Sequence, residues 1–276
     1  MRSSSLPPTF SILDSTQSVF AGDILYPFAI DEIFCRQVGE GKRSPLVHIW
    51  RHEKAFVLGL RDRKLPNAQK AMDWLSELGY SVTVRNSGGA AVPLDSSVLN
   101  LSVILPNPAQ KIDFHHDFEL MYEIIRKSLS SYGVVNKGEV TGAYCPGDFD
   151  LSIGGKKFCG IAQRRQIKAY VVQAFIVVEG SGERRAQLVK DFYETAMGNE
   201  VEVVGLGSHP QVTHGSMISL QEACGVDSVY QYHQHLVDYL CRMGGQVGCA
   251  DHEFRLLTSE IREMIETLRV RYEKRV

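Results

Sequence analysis

The sequence predicts an α+β fold, on three observations. Strand and helix patterns alternate irregularly, without the βαβ rhythm of a dinucleotide-binding sheet. Three consecutive strand patterns joined by tight turns occupy the middle of the chain, flanked by helical periodicities. Tyr170–Val178 is apolar at every position except Gln173, as expected of a central strand covered on both faces.

The elements follow in order. Pro45–Trp50 and Ala55–Gly59 read as a short hairpin. Asn67 can cap a helix in which Ala68, Ala71, Met72, Leu75 and Leu78 recur at helical spacing, and Gly79 supplies a left-handed stop. Ser81–Arg85 and Val98–Leu105 are expected strands. Asp113 starts a longer helix with Phe114, Phe118, Met121, Ile125, Leu129 and Tyr132 on one face, ending at Gly133. The three-strand run is Phe149–Ile153, Lys157–Arg164 and Lys168–Val178, turning at Gly154-Gly155 and Gln166-Ile167. Two amphipathic helices, near 229–243 and 259–272, close the chain; the second turns Ile261, Met264, Ile265, Leu268 and Tyr272 inward.

Composition narrows the function. Among 276 residues, 30 Lys and Arg balance 32 Asp and Glu for a net charge of -2, which excludes a strongly basic nucleic-acid scaffold. The six cysteines (35, 145, 159, 224, 241 and 249) are too sparse for a disulfide framework, and none forms a Cys-x-x-Cys pair. The first residues carry no signal-peptide core, and no apolar stretch approaches the roughly 20 residues of a membrane helix. A reduced, soluble, cytoplasmic protein is expected. His233 and His235 diverge on a helix and His115-His116 are adjacent, so no metal site is expected.

Three segments carry chemistry. Arg85-Asn86-Ser87-Gly88-Gly89-Ala90-Ala91-Val92 follows a strand with small residues in succession, which lets a ligand lie on backbone N–H groups while Arg85 pairs with an anion; an ordinary tight turn is an equal reading. In Gly142-Ala143-Tyr144-Cys145-Pro146-Gly147-Asp148-Phe149-Asp150, Cys145 sits on a constrained loop. Cys241 and Cys159 lie in periodic runs, so Cys145 is the best nucleophile candidate. Gly154–Lys168 holds five basic residues and no acidic one. Strand alternation puts Lys157, Cys159 and Ile161 on one face and Lys156, Phe158 and Gly160 on the other, so one lysine points into whatever the sheet lines; the plainer reading is a solvated basic edge strand.

In that order the three segments resemble the lipoate/octanoate protein ligase and transferase family, related in fold to biotin protein ligases. Arg85 to Val92 is similar to the family's Arg-x-Ser-Gly-Gly-Gly-Ala-Val acyl-binding loop, and Lys157 to Ala162 to its Lys-x-x-Gly-Ser-Ala segment. Trp50-Arg51 and Val57-Leu58-Gly59 fit its first strands. Two departures stand out: the third loop glycine is Ala90, and Leu94 replaces the histidine many relatives place before Asp95. The resemblance implies an N-terminal segment over 1–24, a biotin/lipoate ligase-type catalytic domain over 25–226, and extra helices over 227–276 packed on it.

The Tyr144–Ile153 segment resembles the subgroup that moves octanoyl groups from the glycine cleavage H protein to lipoyl domains of 2-oxoacid dehydrogenases. The resemblance gives Cys145 the role of acyl carrier and Lys157 that of favouring its thiolate. It gives acyl binding to Arg85, Ser87, Gly88, Gly89, Ala90, Ala91, Gly160 and Ile161. Neither cofactor, metal, nucleic acid nor membrane is implied. A free cysteine has a pKa of about 8.5, so a neighbouring cation is what makes attack on an acyl carbonyl practical. Backbone N–H groups of the 87–91 loop or of Gly160–Ile161 are the candidate oxyanion donors. Three rivals stand beside this reading: an ATP-dependent lipoate ligase, a transferase drawing on acyl carrier protein, and a silent lipoyl-domain binding protein.

Overall fold

The computed structural model describes residues 6–110, 113–198 and 209–272. Eleven strands form among these residues: β1 (Phe10–Asp14), β2 (Leu46–Trp50), β3 (Lys54–Leu58), β4 (Ser81–Val84), β5 (Val92–Asp95), β6 (Val98–Pro106), β7 (Asn136–Lys137), β8 (Leu151–Ile153), β9 (Lys156–Arg165), β10 (Ala169–Val177) and β11 (Gly245–Gly248). The helices are α1 (Leu25–Gly39), α2 (Ala68–Glu77), α3 (Phe114–Ser128), α4 (Gly182–Met197), α5 (Leu220–Cys224), α6 (Val229–Arg242), α7 (Ala250–Leu256) and α8 (Thr258–Tyr272).

Eight strands make one mixed sheet in the order β11-β1-β2-β6-β10-β9-β8-β7, and β4-β3-β5 make a second, small sheet. The large sheet divides two apolar cores. One side packs α3, α5 and α6 against Leu101, Val172 and Ile176, and the other packs α1, α2, α4, α8 and the small sheet against Val98, Val171 and Phe175. No helix among the described residues is long and apolar enough to cross a membrane.

The run β8-β9-β10 is antiparallel as expected, and β10 lies between β6 and β9 with all nine residues buried. Its one amide side chain, Gln173, donates to Asp31 Oδ2 at 2.9 Å while its Oε1 stays unpaired, and the same carboxylate accepts from Ser102 Oγ and contacts His48 Nδ1. Asp31 belongs to α1, a helix outside the sequence expectation. Buried apolar residues surround nearly its whole circumference, so no one-sided stripe announces it. Also outside that expectation is α4, although Ser181 caps it by accepting from Arg184 N and Ala186, Val189, Phe192, Tyr193 and Ala196 face inward.

Other expectations need correction. β2 and β3 are not a hairpin: β2 pairs with β1 and β6, whereas β3 pairs with β4 and β5 in the other sheet. Both strands are apolar on both faces, and each needs neighbours on two sides. Asn67 precedes α2 without a capping bond, its Nδ2 donating instead to Met197 O. Asp113 does cap α3 through His116 N, but that helix ends at Ser128 and Phe114 is exposed. Gly79 has φ +82° just past α2, as a left-handed stop requires.

Candidate active site

The chain brings Arg85, Cys145 and Lys157 together from three separate elements. Arg85 follows β4, which is pinned to β3 by Arg85 N donating to Leu58 O at 2.9 Å. Its side chain is buried and crosses to the large sheet, where the guanidinium carbon lies 5.1 Å from the centre of the Phe175 ring. Beyond it, residues 86–91 fold back over the site. Gly88 N donates to Gln163 O, Ala91 N donates to Tyr193 Oη, and Tyr193 Oη in turn donates to the buried Asp62. Gly59 lets this loop approach, since a Cβ there would overlap the carbonyl oxygen of Gly89.

Cys145 lies on the connection into β8 with φ +48°, a left-handed backbone that only one other non-glycine residue adopts among those described. Its Sγ accepts from Ala90 N at 3.1 Å and from Arg85 Nη2 at 3.2 Å. Gly89, at φ +98°, makes that approach possible: a Cβ there would stand 2.8 Å from Sγ and closer still to the guanidinium. On the other side the turn is latched by Gly142, whose carbonyl accepts from Thr213 N and Ser216 Oγ.

Lys157 is 1 % exposed and holds the backbone of the cysteine. Its Nζ donates to Tyr144 O at 2.9 Å and to Cys145 O at 2.5 Å, and forms an ion pair with Asp150 Oδ1 at 2.7 Å. Burial raises the Asp150 carboxyl above the ordinary range, with the lysine charge opposing that rise. Sequence reasoning assigned Asp150 no part; it stands just before β8, the strand whose Ser152 pairs with Lys157.

The strand faces differ from simple alternation. Leu151 pairs with Cys159 but Ser152 pairs with Lys157, so Phe158 is an extra residue, a β-bulge. The bulge resets the parity. Gly160, opposite Phe175, shares its side with Lys157, whose Nζ would lie 3.4 Å from a Cβ at Gly160. Cys159, opposite Ile176, goes to the other core with Phe158 and Ile161. Burial pushes the Cys159 thiol far up, which keeps it protonated. The lysine beside it, Lys156, is exposed.

β9 is also no edge strand, having β10 and β8 on either side. Its basic residues are partly neutralised: Arg164 pairs with Glu32 of α1 at 2.8 Å and Arg165 pairs with Asp117 of α3. Glu32 reaches the loop too, accepting from Asn86 Nδ2 at 2.5 Å. Both acids come from helices packed on opposite sides of the strand, which is why a one-dimensional charge count misses them.

A narrow apolar cavity opens beside Cys145 and Lys157, walled by Val92, Val98, Phe158, Gly160, Phe175 and Met217. Of the sequence-predicted residues, Arg85, Ala90, Cys145 and Lys157 converge by direct hydrogen bonds and Gly89 by close packing; Gly160 joins them in the cavity wall. Ser87 is buried with its Oγ unpaired, Gly88 and Ala91 anchor the loop, and Ile161 packs on the far side of the sheet. The wall itself comes from β5, β6, β9 and β10 with Met217; β6 and β10 are expected strands, whereas β5 lies outside the sequence expectation.

The chain is similar to known proteins over most of its length. Residues 23–236 match the lipoyl protein ligase A/B catalytic domain. An octanoyl-[GcvH]:protein N-octanoyltransferase of Geobacillus kaustophilus is 43 % identical over 221 residues, covering 80 % of this chain and 77 % of the relative. A lipoyl-[GcvH]:protein N-lipoyltransferase of Listeria monocytogenes is 42 % identical over 182 residues, 66 % of each chain. Among solved structures, a lipoate-protein ligase A bound with ATP superposes with TM-score 0.66 at 20 % identity over 94 % of both chains. A bi-partite lipoate protein ligase from Thermoplasma acidophilum superposes with TM-score 0.62 at 18 % identity, over 94 % of this chain and 92 % of the other. The two structures share the fold with this protein: mixed sheets flanked by helices, of the biotin/lipoate ligase type. The chain belongs to the lipoyl protein ligase A/B catalytic-domain family.

Proposed function

We propose that the protein is an acyltransferase that moves an octanoyl or lipoyl group from the modified lysine of glycine cleavage H protein to lipoyl domains of 2-oxoacid dehydrogenases, through a thioester on Cys145. The names of its relatives support the donor and the transfer. The observation that carries the cysteine route is the seat of Sγ: a left-handed residue holds it against a backbone N–H and a guanidinium, at the mouth of an apolar cavity.

In the first half-reaction the thiolate attacks the carbonyl carbon of the donor amide. A C–S bond forms, the C–N bond breaks, and the lysine amine leaves with the proton that the thiol gave up. In the second, the acceptor's neutral lysine amine attacks the thioester carbonyl, the C–S bond breaks, and the amine's proton restores the thiol. Ala90 N–H, of the 87–91 loop, is the backbone donor nearest the reacting sulfur. Lys157 brings a buried positive charge to the carbonyl of Cys145 and favours the thiolate, with Asp150 taking part of that charge. The apolar wall accepts the acyl chain. The reduced thiols fit a cytoplasmic setting.

The test is intact mass after mixing the protein with octanoylated H protein in the absence of ATP and magnesium. An octanoyl adduct that Cys145→Ala abolishes and Cys159→Ala retains is the expected result, with the adduct then passing to a lipoyl domain. A strict ATP requirement would mark a ligase instead. Turnover with octanoyl-acyl carrier protein alone would keep Cys145 and change the donor.

A further inference from the structure

The cation in contact with the nucleophile is not the lysine that the motif supplies. Lys157 spends its Nζ on two backbone carbonyls and the Asp150 carboxylate. Arg85 is the group whose nitrogen meets Sγ, at 3.2 Å, and its guanidinium is compensated by little else. Nη2 also donates to Ala90 O at 2.7 Å, but Nε and Nη1 are buried with no hydrogen-bond partner. The ion pairs among the described residues include Arg164, Arg165 and Arg185, each with its own carboxylate, and Arg85 is in none of them. The Asp62 carboxylate feels this charge at longer range but makes no ion pair with it, its two oxygens accepting from Gly59 N and Tyr193 Oη. A guanidinium cannot give up its proton, so burial without an anion is costly for it.

We propose that Arg85 is a catalytic residue: its guanidinium, with the Ala90 N–H, is the anion seat that holds Cys145 as the thiolate, while Lys157 acts chiefly by fixing the backbone that presents the sulfur. This rests on Cys145 being the nucleophile. The geometry explains why the cysteine needs no histidine: the seat supplies a permanent cation and a fixed dipole where a base would otherwise remove the proton. The thiol proton, released to solvent when the seat fills, is returned through solvent to the leaving amine, and the charge on sulfur supplies the contact counter-ion that Arg85 lacks. Acylation then discharges the sulfur and leaves the guanidinium uncompensated again, which favours attack by the next amine over a stable dead-end thioester. Glu32 does not compete for this charge, being engaged by Arg164, Asn86 and Gln166.

The experiment is the pH profile of Cys145 alkylation by iodoacetamide, read by peptide mass in the full-length protein. Arg85→Gln and Arg85→Met are expected to move the midpoint up by about one unit or more, as loss of an opposite charge in contact does, while Arg85→Lys recovers most of the shift. An unchanged midpoint in a folded Arg85→Gln protein overturns the proposal. A second measurement leaves the side chain intact, so it holds even where a neutral variant does not fold. In arginine-labelled wild-type protein one guanidinium resonance should titrate with the alkylation midpoint, and Cys145→Ser should remove that titration. Absence of any such resonance also overturns it. The two readings fail separately. If Cys145 takes no octanoyl group yet its alkylation follows Arg85, the transfer route falls and the anion seat stands; if it is acylated with alkylation indifferent to Arg85, only the seat falls.

Discussion

Gly89→Ala alters the site without removing any group that performs chemistry. The new Cβ would stand 2.8 Å from Cys145 Sγ and closer to Arg85 Nη2, against a van der Waals optimum of about 3.5–4.0 Å. Sγ has a short side chain, and its backbone is held by Lys157 on two carbonyls, so the sulfur must retreat by roughly 1 Å instead of the loop yielding. That ends the 3.1 Å contact from Ala90 N or the 3.2 Å contact from Arg85. A hydrogen bond to a charged group is worth about 1.5–3 kcal/mol, which corresponds to roughly a 10- to 150-fold loss in acylation rate. The fold pays less: alanine at φ +98° costs about 1–2 kcal/mol, a fall of roughly 2–8 °C in melting temperature. Single-turnover acylation by mass, beside a thermal melt, reads both quantities. A variant that acylates as fast as wild type would show that sulfur does not need this seat, and a collapse of stability would show that the loop is structural first.

The remaining expectations concern charge. Lys157→Met breaks a buried pair and should cost about 3 kcal/mol of stability and raise the pH at which iodoacetamide modifies Cys145; adding Asp150→Asn should restore stability without restoring acylation. Lys156→Met should change neither, and equal effects at both lysines would mean that the strand face has been misread. Asp14 lies against His233 at 2.7 Å; burial raises its carboxyl, but bonds from His233 and Thr16 outweigh that and lower it from 3.8 to about 2. The unfolded chain therefore takes up this proton first as pH falls. About 2 kcal/mol of stability, present above pH 4, should fade between about pH 4 and 2. The stability gap between wild type and Asp14→Asn, measured by urea unfolding, should close over the same interval.

Much of this was legible in one dimension because its cause is local. The antiparallel run β8-β9-β10 follows from tight turns between apolar strands, and α2, α6 and α8 from one-sided periodicity. The loop position of Cys145 is likewise local. What escaped depends on distant partners. The acids of α1 look unfit for a core until His48, Gln173 and Arg164 are in place around them. Alternation misassigned the companions of Lys157, since a bulge at Phe158 is created by the pairing of β9 with β8 and leaves no mark in composition. Arg85 and Cys145 are 60 positions apart, and only the packing of the small sheet on the large one makes them neighbours.

The cavity wall has a consequence for how this enzyme can diversify. Val92, Val98, Phe175 and Met217 line the space beside Cys145, and the same four side chains belong to the apolar core shared with α1, α2 and α4. An acyl chain held there would be solvated by the folding core itself. Enlarging the space by Phe175→Ala would then cost about 3–5 kcal/mol, out of a total that for a domain is only about 5–15 kcal/mol. Substrate length and thermodynamic stability become a single trait, inherited together. A lineage that drifts towards longer acyl groups must first acquire surplus stability elsewhere, so chain-length preference should evolve slowly and in the wake of stabilising changes far from the sulfur.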